Sequence, residues 1–300
     1  MLRSLYSAVT GLKNHQTKMD VLGNNISNVN TTGFKRSRVN FVTMLSQTMK
    51  GASSPTATQG GTNAVQVGLG SMIGAIDQIT TQGSSQTTGK ETDLMLQGSG
   101  FFVLKNNGVP VYTRSGAFGF DSQGFLVDPA TGAKVQGYMW SNDDTTTPNW
   151  TSTQTVAGKG PGFGDISFTI GEQLPGDATF LLDSYSIDPK GIVTGVYSDG
   201  TSTKIHKIAQ IAVSKFKNDA GLTNLGNGFL SVSGNSGDPD IGAAGEKGRA
   251  VVIPGALEMS NVDLSQEFTD MIVTQRGFQA NSRVITTSDT LLEELINLKR

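Results

Sequence analysis

At 300 residues the chain is long enough for one large domain or two ordinary ones, and 36% hydrophobic residues suffice for a core. Only 16% of residues are charged and the formal net charge is −2, which gives no reason to expect nucleic acid or an anionic membrane as partner. Cysteine is absent, excluding a disulfide framework, thiolate metal sites and a cysteine nucleophile.

Met1 to Tyr6 carry one positive charge, but Ser7, Thr10, Gly11, Lys13 and Asn14 interrupt any apolar run behind it. No cleaved signal peptide is therefore expected, and no stretch approaches the ~20 apolar residues of a membrane span. Export, if it occurs, is expected by a route without such cleavage. Leu2, Leu5, Val9, Leu12, Gln16, Met19, Gly23 and Ile26 step alternately by three and four, the seam of a coiled coil, with Tyr6 and Leu22 on its flanks. A helix over 2–27 would be ~39 Å long. Gln16 and Gly23 weaken the seam, so this helix needs a partner surface.

Residues 50–95 are rich in Gly, Ser, Thr and Gln, and 36–95 read as an extended or loop-like connector with little core of its own. Within it Ile73, Ile76 and Ile79 are ambiguous between helix and strand. From 96 to 255 the signals are β. Phe101 to Leu104, Asn107-Gly108 and Val109 to Thr113 predict a hairpin with a type I′ turn. Val193 to Tyr197, Asp199-Gly200 and Lys204 to Phe216 predict a second. Phe118 to Val127 echoes Tyr185 to Val193, each with Asp followed by Gly three residues later, as a repeat or as shared turn chemistry. Residues 141–162 read as a surface loop or insertion.

Asp263 with Gln266 three residues on is an N-cap pattern. From there Leu264, Phe268, Met271, Gln275, Phe278, Ser282, Ile285, Leu292 and Ile296 form one stripe, and Ile272, Leu291, Leu295 and Leu298 a second. A helix over 263–298 would be ~54 Å long. The expected fold class is mixed: terminal helices forming a coiled-coil domain, an all-β domain, and an extended connector between them. Two amphipathic termini must bury their stripes somewhere, on each other and a neighbouring molecule or on the β domain. The candidate assembly residues are Leu2, Leu5, Tyr6, Val9, Leu12, Met19, Leu22 and Ile26, with Leu264, Phe268, Met271, Ile272, Phe278, Ile285, Leu292, Leu295 and Ile296.

The run Asn24-Asn25-Ile26-Ser27-Asn28-Val29-Asn30-Thr31-Thr32-Gly33-Phe34-Lys35 resembles the signature of flagellar rod and hook axial proteins. Its signature residues here are Asn24, Asn25, Asn28, Thr31, Gly33, Phe34 and Lys35. Asn tolerates the left-handed region and bonds to backbone, so the run also reads as a helix end in a polar knot. Residues 260–282 resemble the matching C-terminal end of these proteins, and 96–103 and 112–118 the start of their β domain. The resemblance implies a homopolymeric helical tube, with 1–35 and 260–300 as the inner domain and 96–255 as the outer one. It further implies an extracellular location in the flagellar hook or basal body. Partners would be rod and hook–filament junction proteins, a hook cap and the export apparatus. Gln59 to Gly70 looks more like a hook connector than a distal rod one, although the chain has no room for the further outer domain of many hook proteins. The distal rod reading stays open.

No catalytic, cofactor-binding or metal-binding residues are expected. The two histidines, His15 and His206, have no metal-ligand spacing around them. Gly68-Leu69-Gly70 begins like a dinucleotide loop but has Ile73 where Gly is required. Asp143-Asp144 and Glu293-Glu294 read as solvated charge. A secreted adhesin-like β domain would explain the Gly- and Thr-rich middle but not the matched helical ends.

Overall fold

The computed structural model describes residues 2–56, 59–140, 162–174 and 177–298, with the backbone alone at Leu2, Gly162, Asp177 and Ala178. The loop expected at 141–162 lies outside these residues except for Gly162. The chain divides into two compact units, one of residues 1–29, 36–79 and 262–300, the other of 30–35 and 80–261.

The first unit holds both helices, α1 (Leu2–Ser27) and α2 (Leu264–Asn297). Asp263 caps α2 by accepting the amides of Ser265 at 2.8 Å and Gln266 at 3.4 Å. A capping box would turn Gln266 back onto the cap; instead its side-chain oxygen accepts from Arg36 at 3.1 Å. The helices pack antiparallel, with Asn25 bonded to Glu267, His15 against Gly277 and Gly11 against Asn281.

Residues 36–79 are extended, but they are not loop-like. β1 (Ser37–Thr43) pairs with β4 (Ser71–Gln78), and β2 (Ser46–Lys50) with β3 (Val65–Gly68). The bridge Ser53–Thr62 continues the pairing, so these strands form one long two-stranded ribbon. Ile73 and Ile76 are strand residues. The composition hid this because the ribbon buries little: Val39 is buried, while Phe41, Val42, Leu45, Met49, Met72 and Ile76 are exposed. Asn14 of α1 bonds the Ser71 hydroxyl at 2.9 Å, seating the ribbon on the helix.

The second unit is an antiparallel β body. Its main sheet runs Gln173–Leu174, Asp177–Ile187, Ile192–Ser198, Thr203–Ile211, Lys134–Met139, Phe101–Asn106, Val109–Thr113, Phe229–Ser231, Thr223–Gly226. The run Phe101-Phe102-Val103-Leu104 is apolar without alternation because both its faces are buried. Phe102 and Leu104 enter one core cluster with Leu94, Leu96, Phe118 and Ile211; Phe101 and Val103 enter another with Tyr112 and Phe216. Each such side chain stabilises by ~1.5–3 kcal/mol.

Asn107 and Gly108 have φ of 48° and 86°, as the type I′ turn requires. The second hairpin forms with a longer loop, in which Asp199 accepts the amides of Thr201 and Ser202, and its second strand stops at Ile211. The two echoing segments close identical turns: Gly124 and Gly191 donate to the carbonyls of Asp121 and Asp188, whose side chains accept from Gln123 and Lys190.

Candidate assembly interface

The signature run divides its work between the two units. In the helical unit, Asn25 is 1% exposed and acts as a backbone mimic. Its amide donates to the Ser37 carbonyl at 2.9 Å and accepts the Ser37 N–H at 3.0 Å, pinning the start of β1 to α1. The same amide group donates to Glu267 of α2 at 3.0 Å. Arg36 lies 3.4 Å from that carboxylate, which is otherwise buried. One asparagine thus joins both helices and the ribbon. Asn28 folds back on the Asn24 carbonyl at 2.9 Å and ends the helix.

In the β unit, Gly33 has φ +69°, and a Cβ there would lie 2.7 Å from the backbone of Arg114 and Ser115. Its N–H donates to the Glu258 carbonyl at 2.8 Å. Lys35, the last signature residue, donates to the Glu258 carboxylate at 2.5 Å and to the Thr81 carbonyl at 2.8 Å. Arg114 approaches the other Glu258 oxygen at 3.1 Å and also donates to the carbonyls of Leu96 and Gly98. The Gly83 amide completes the shell of Glu258 at 2.9 Å. All three charged side chains are 5% exposed or less. Burial pushes the Lys35 ammonium and the Arg114 guanidinium below their ordinary pKa values despite the carboxylate between them. This cluster fastens segment 30–35, which follows α1, to segment 256–261, which precedes α2. Thr31 is exposed, and Phe34 is half-buried with its carbonyl accepting from Asn261.

The helix pair uses its seam in an unexpected way. On α2 the buried or half-buried positions include 267, 271, 274, 278, 281, 285, 288 and 292, a four–three rhythm, with 270, 277 and 282 beside them. The most buried of them are polar: Glu267, Thr274 and Ser288. Met271, Phe278, Ile285 and Leu292 are half-buried. On α1, Leu22 is buried within its own chain, leaving no surface for a neighbour. Leu5, Leu12, Met19 and Ile26 are half-buried, and the Leu2 side chain lies outside the described residues. Tyr6, Val9, Leu264, Phe268, Ile272, Leu295 and Ile296 are exposed, Tyr6 by 71% and Ile296 by 68%. Two of the closest approaches between helices are made at glycines: a Cβ at Gly11 or Gly277 would come 2.7 Å from Asn281 or His15. His15 also packs edge-on to Phe41, and burial, with Lys18 nearby, lowers its pKa.

The sequence did not single out Glu258, Glu267 or the two glycines. A carboxylate between Leu257 and Met259 in a β segment was a readable sign, because buried charge demands a partner. Glu267 shares the inward rhythm of Met271 and Phe278. Among the described residues no helix is long and apolar enough to cross a membrane.

The chain thus holds a helix pair with apolar side chains turned away from it and a separate β unit. Three family models match: "Flagella basal body rod protein" over 5–35, "Flagellar hook protein FlgE/F/G D1 domain" over 95–195, and "Flagellar basal body rod FlgEFG protein C-terminal" over 253–298. The flagellar basal-body rod protein FlgG of Bacillus subtilis is 43% identical over 302 positions, covering all of both chains. The flagellar hook proteins FlgE of Borreliella burgdorferi and Treponema pallidum are 34% and 32% identical over 444 and 466 positions, again with full coverage. The chain belongs to the flagellar hook and rod protein family, and it is a structural component of the bacterial flagellum.

Proposed function

We propose that the chain polymerises into the flagellar hook, the tubular joint between rod and filament, with α1 and α2 as its coiled-coil inner layer and the β unit outside. One observation carries the reading: the terminal helices meet through a polar seam and turn Tyr6, Val9, Leu264, Phe268 and Ile272 to the surface. An apolar surface of that extent on a helix pair calls for a neighbour, and head-to-tail contacts that do not close build an open helical polymer. The chain would lie outside the cell, exported without a cleaved signal peptide, beside rod and junction proteins, a cap and the export apparatus. Its role is structural and non-catalytic.

Phe268→Asp is expected to abolish sedimentable polymer while leaving the chain folded by circular dichroism. Normal tubes from that variant would refute the reading. Leu12→Asp and Phe278→Asp both strike half-buried positions and should also loosen the helix pair. The distal rod is a second reading, favoured by the 43% identity to a rod protein of nearly equal length. Electron microscopy of the polymer separates the two, since hooks bend and rods stay straight.

A further inference from the structure

His15 sits where three elements of the helical unit meet. One edge of its ring faces α2 at Gly277, where a Cβ would lie 2.7 Å from Cε1 and 2.8 Å from Nε2. Phe41 of β1 stands edge-on to it, with ring centroids 6.1 Å apart. The Nδ1 atom is buried and has no hydrogen-bond partner. On α1, Gly11 lies one turn before it and meets Asn281 of α2, so the imidazole fills space inside the closest stretch of the helix pair.

The charges around the ring do not suit a second proton on it. On α1 the nearest is Lys18, one turn on, which repels a cation at His15, while Lys13 and Asp20 are exposed. On α2 the residues about Gly277 that are turned inward, Thr274, Phe278 and Asn281, are uncharged. Arg276 is exposed, and Asp270 lies seven residues away, ~10 Å along the helix. Glu267 is held by Asn25 and Arg36. On the ribbon Asp77 is held by Asn40 and Arg38, and the contact with His15 is made by Phe41. A neutral imidazole carries one N–H, but an imidazolium carries two. Whichever nitrogen is protonated first, the second proton leaves a buried N–H at Nδ1 without an acceptor, and a positive charge without a carboxylate.

We propose that His15 is an acid-sensitive latch of the helical unit: the neutral ring closes the junction of α1, α2 and β1, and the protonated ring loosens it. Burial first, and Lys18 second, hold the ring below its ordinary pKa of 6.5. Between the folded value and 6.5 the unfolded chain binds the extra proton. Stability of the helical unit is therefore full above 6.5, falls as the pH drops through that window, and is lowest below it. The latch works by packing within one copy, so it goes beyond the self-assembly reading and holds whether or not the chain polymerises. A chain outside the cell would meet the acidity of the medium through it.

The chain has two histidines, so His206→Gln leaves His15 as the sole imidazole, to be followed by NMR in the full-length protein. Its titration midpoint is expected below that of the same chain unfolded in urea. Hydrogen exchange read by mass spectrometry, corrected for intrinsic rates, handles the soluble and the assembled chain alike. Protection over 8–25 and 267–285 is expected to fall at least about threefold between about pH 7.5 and about pH 5. His15→Gln takes up no proton there and should keep equal protection at both pH values, even if both are lower than in the parent. Lys18→Glu should raise the His15 midpoint. If His15→Gln fails to fold, the midpoint and the protection of the parent decide. A midpoint at or above the unfolded one overturns the latch, as does protection that ignores pH or helices unprotected at neutral pH. So does an acid loss that persists in full in His15→Gln.

Discussion

Glu258→Ala is the most informative single substitution in the β unit. The carboxylate is 0% exposed and lies between two cations of 4% and 5% exposure, so removing it leaves both buried without a counter-charge. Breaking a buried pair from one side costs about 3–5 kcal/mol, and the Gly83 amide loses its acceptor as well, for about 1 kcal/mol more. A domain with about 5–15 kcal/mol of stability would be left marginal. Chemical denaturation of the β unit's tryptophan and far-ultraviolet signals, at neutral pH, measures the loss. Glu258→Gln, which keeps the shape and an acceptor oxygen, should retain part of it, and adding Lys35→Met to that variant should recover more by removing one uncompensated charge. A loss below about 1 kcal/mol for Glu258→Ala would show that water reaches the cluster and that the burial argument is wrong.

The same cluster predicts a pH effect with a definite sign. Lys35 has its folded pKa below the ordinary 10.5, so between those two values the unfolded chain binds the extra proton and stability rises with pH. The penalty is complete below the folded value and gone above 10.5; the stability difference between the parent chain and Lys35→Met across alkaline pH should shift in that direction, and a flat difference refutes it. Gly116→Ala should prevent folding of the β unit, because a Cβ there lies 1.6 Å from the Leu94 carbonyl oxygen; soluble, cooperative protein would refute this. Asn25→Ala should cost about 2–3 kcal/mol in the helical unit by orphaning the Ser37 amide and carbonyl, read as lost hydrogen-exchange protection along β1. The exposed Asn24→Ala should cost under about 0.5 kcal/mol.

The helices were legible because periodicity and capping act locally. The stripe from Leu5 to Ile26 and the Asp263 cap needed no knowledge of the rest of the chain, and α1 and α2 fall within a residue of their expected ends. The Asn107-Gly108 hairpin was legible for the same reason. The ribbon was not, since Ser, Thr, Gln and Gly at 46–65 satisfy each other across strands without an apolar face to announce it. The junction cluster was invisible for a further reason. Lys35 stood in a recognisable motif, but its partner is 223 residues away, and nothing local says which acid will meet which base. Likewise the seam seemed to belong to the Leu5–Val9–Leu12 stripe, whereas the chain's own contacts run through Ala8, Gly11, His15, Leu22 and Asn25.

That displacement has an energetic meaning. In an ordinary helical hairpin the apolar stripes face inward and supply most of the stability, because isolated helices are marginal in water. Here the most buried inward positions of α2 are Glu267, Thr274 and Ser288, and the closest approaches are Asn25 to Glu267, His15 to Gly277 and Gly11 to Asn281, groups that set register, while Met271, Phe278, Ile285 and Leu292 are only half-buried. Net hydrogen bonds contribute only about 1 kcal/mol each, whereas each Phe, Leu or Ile left outside would contribute ~1.5–3 kcal/mol once covered. On the self-assembly proposed above, the larger share of the helices' stability would become available only where a second copy covers these exposed side chains. On that proposal, a seam that specifies register and a surface that supplies energy would couple folding of the ends to growth of the polymer.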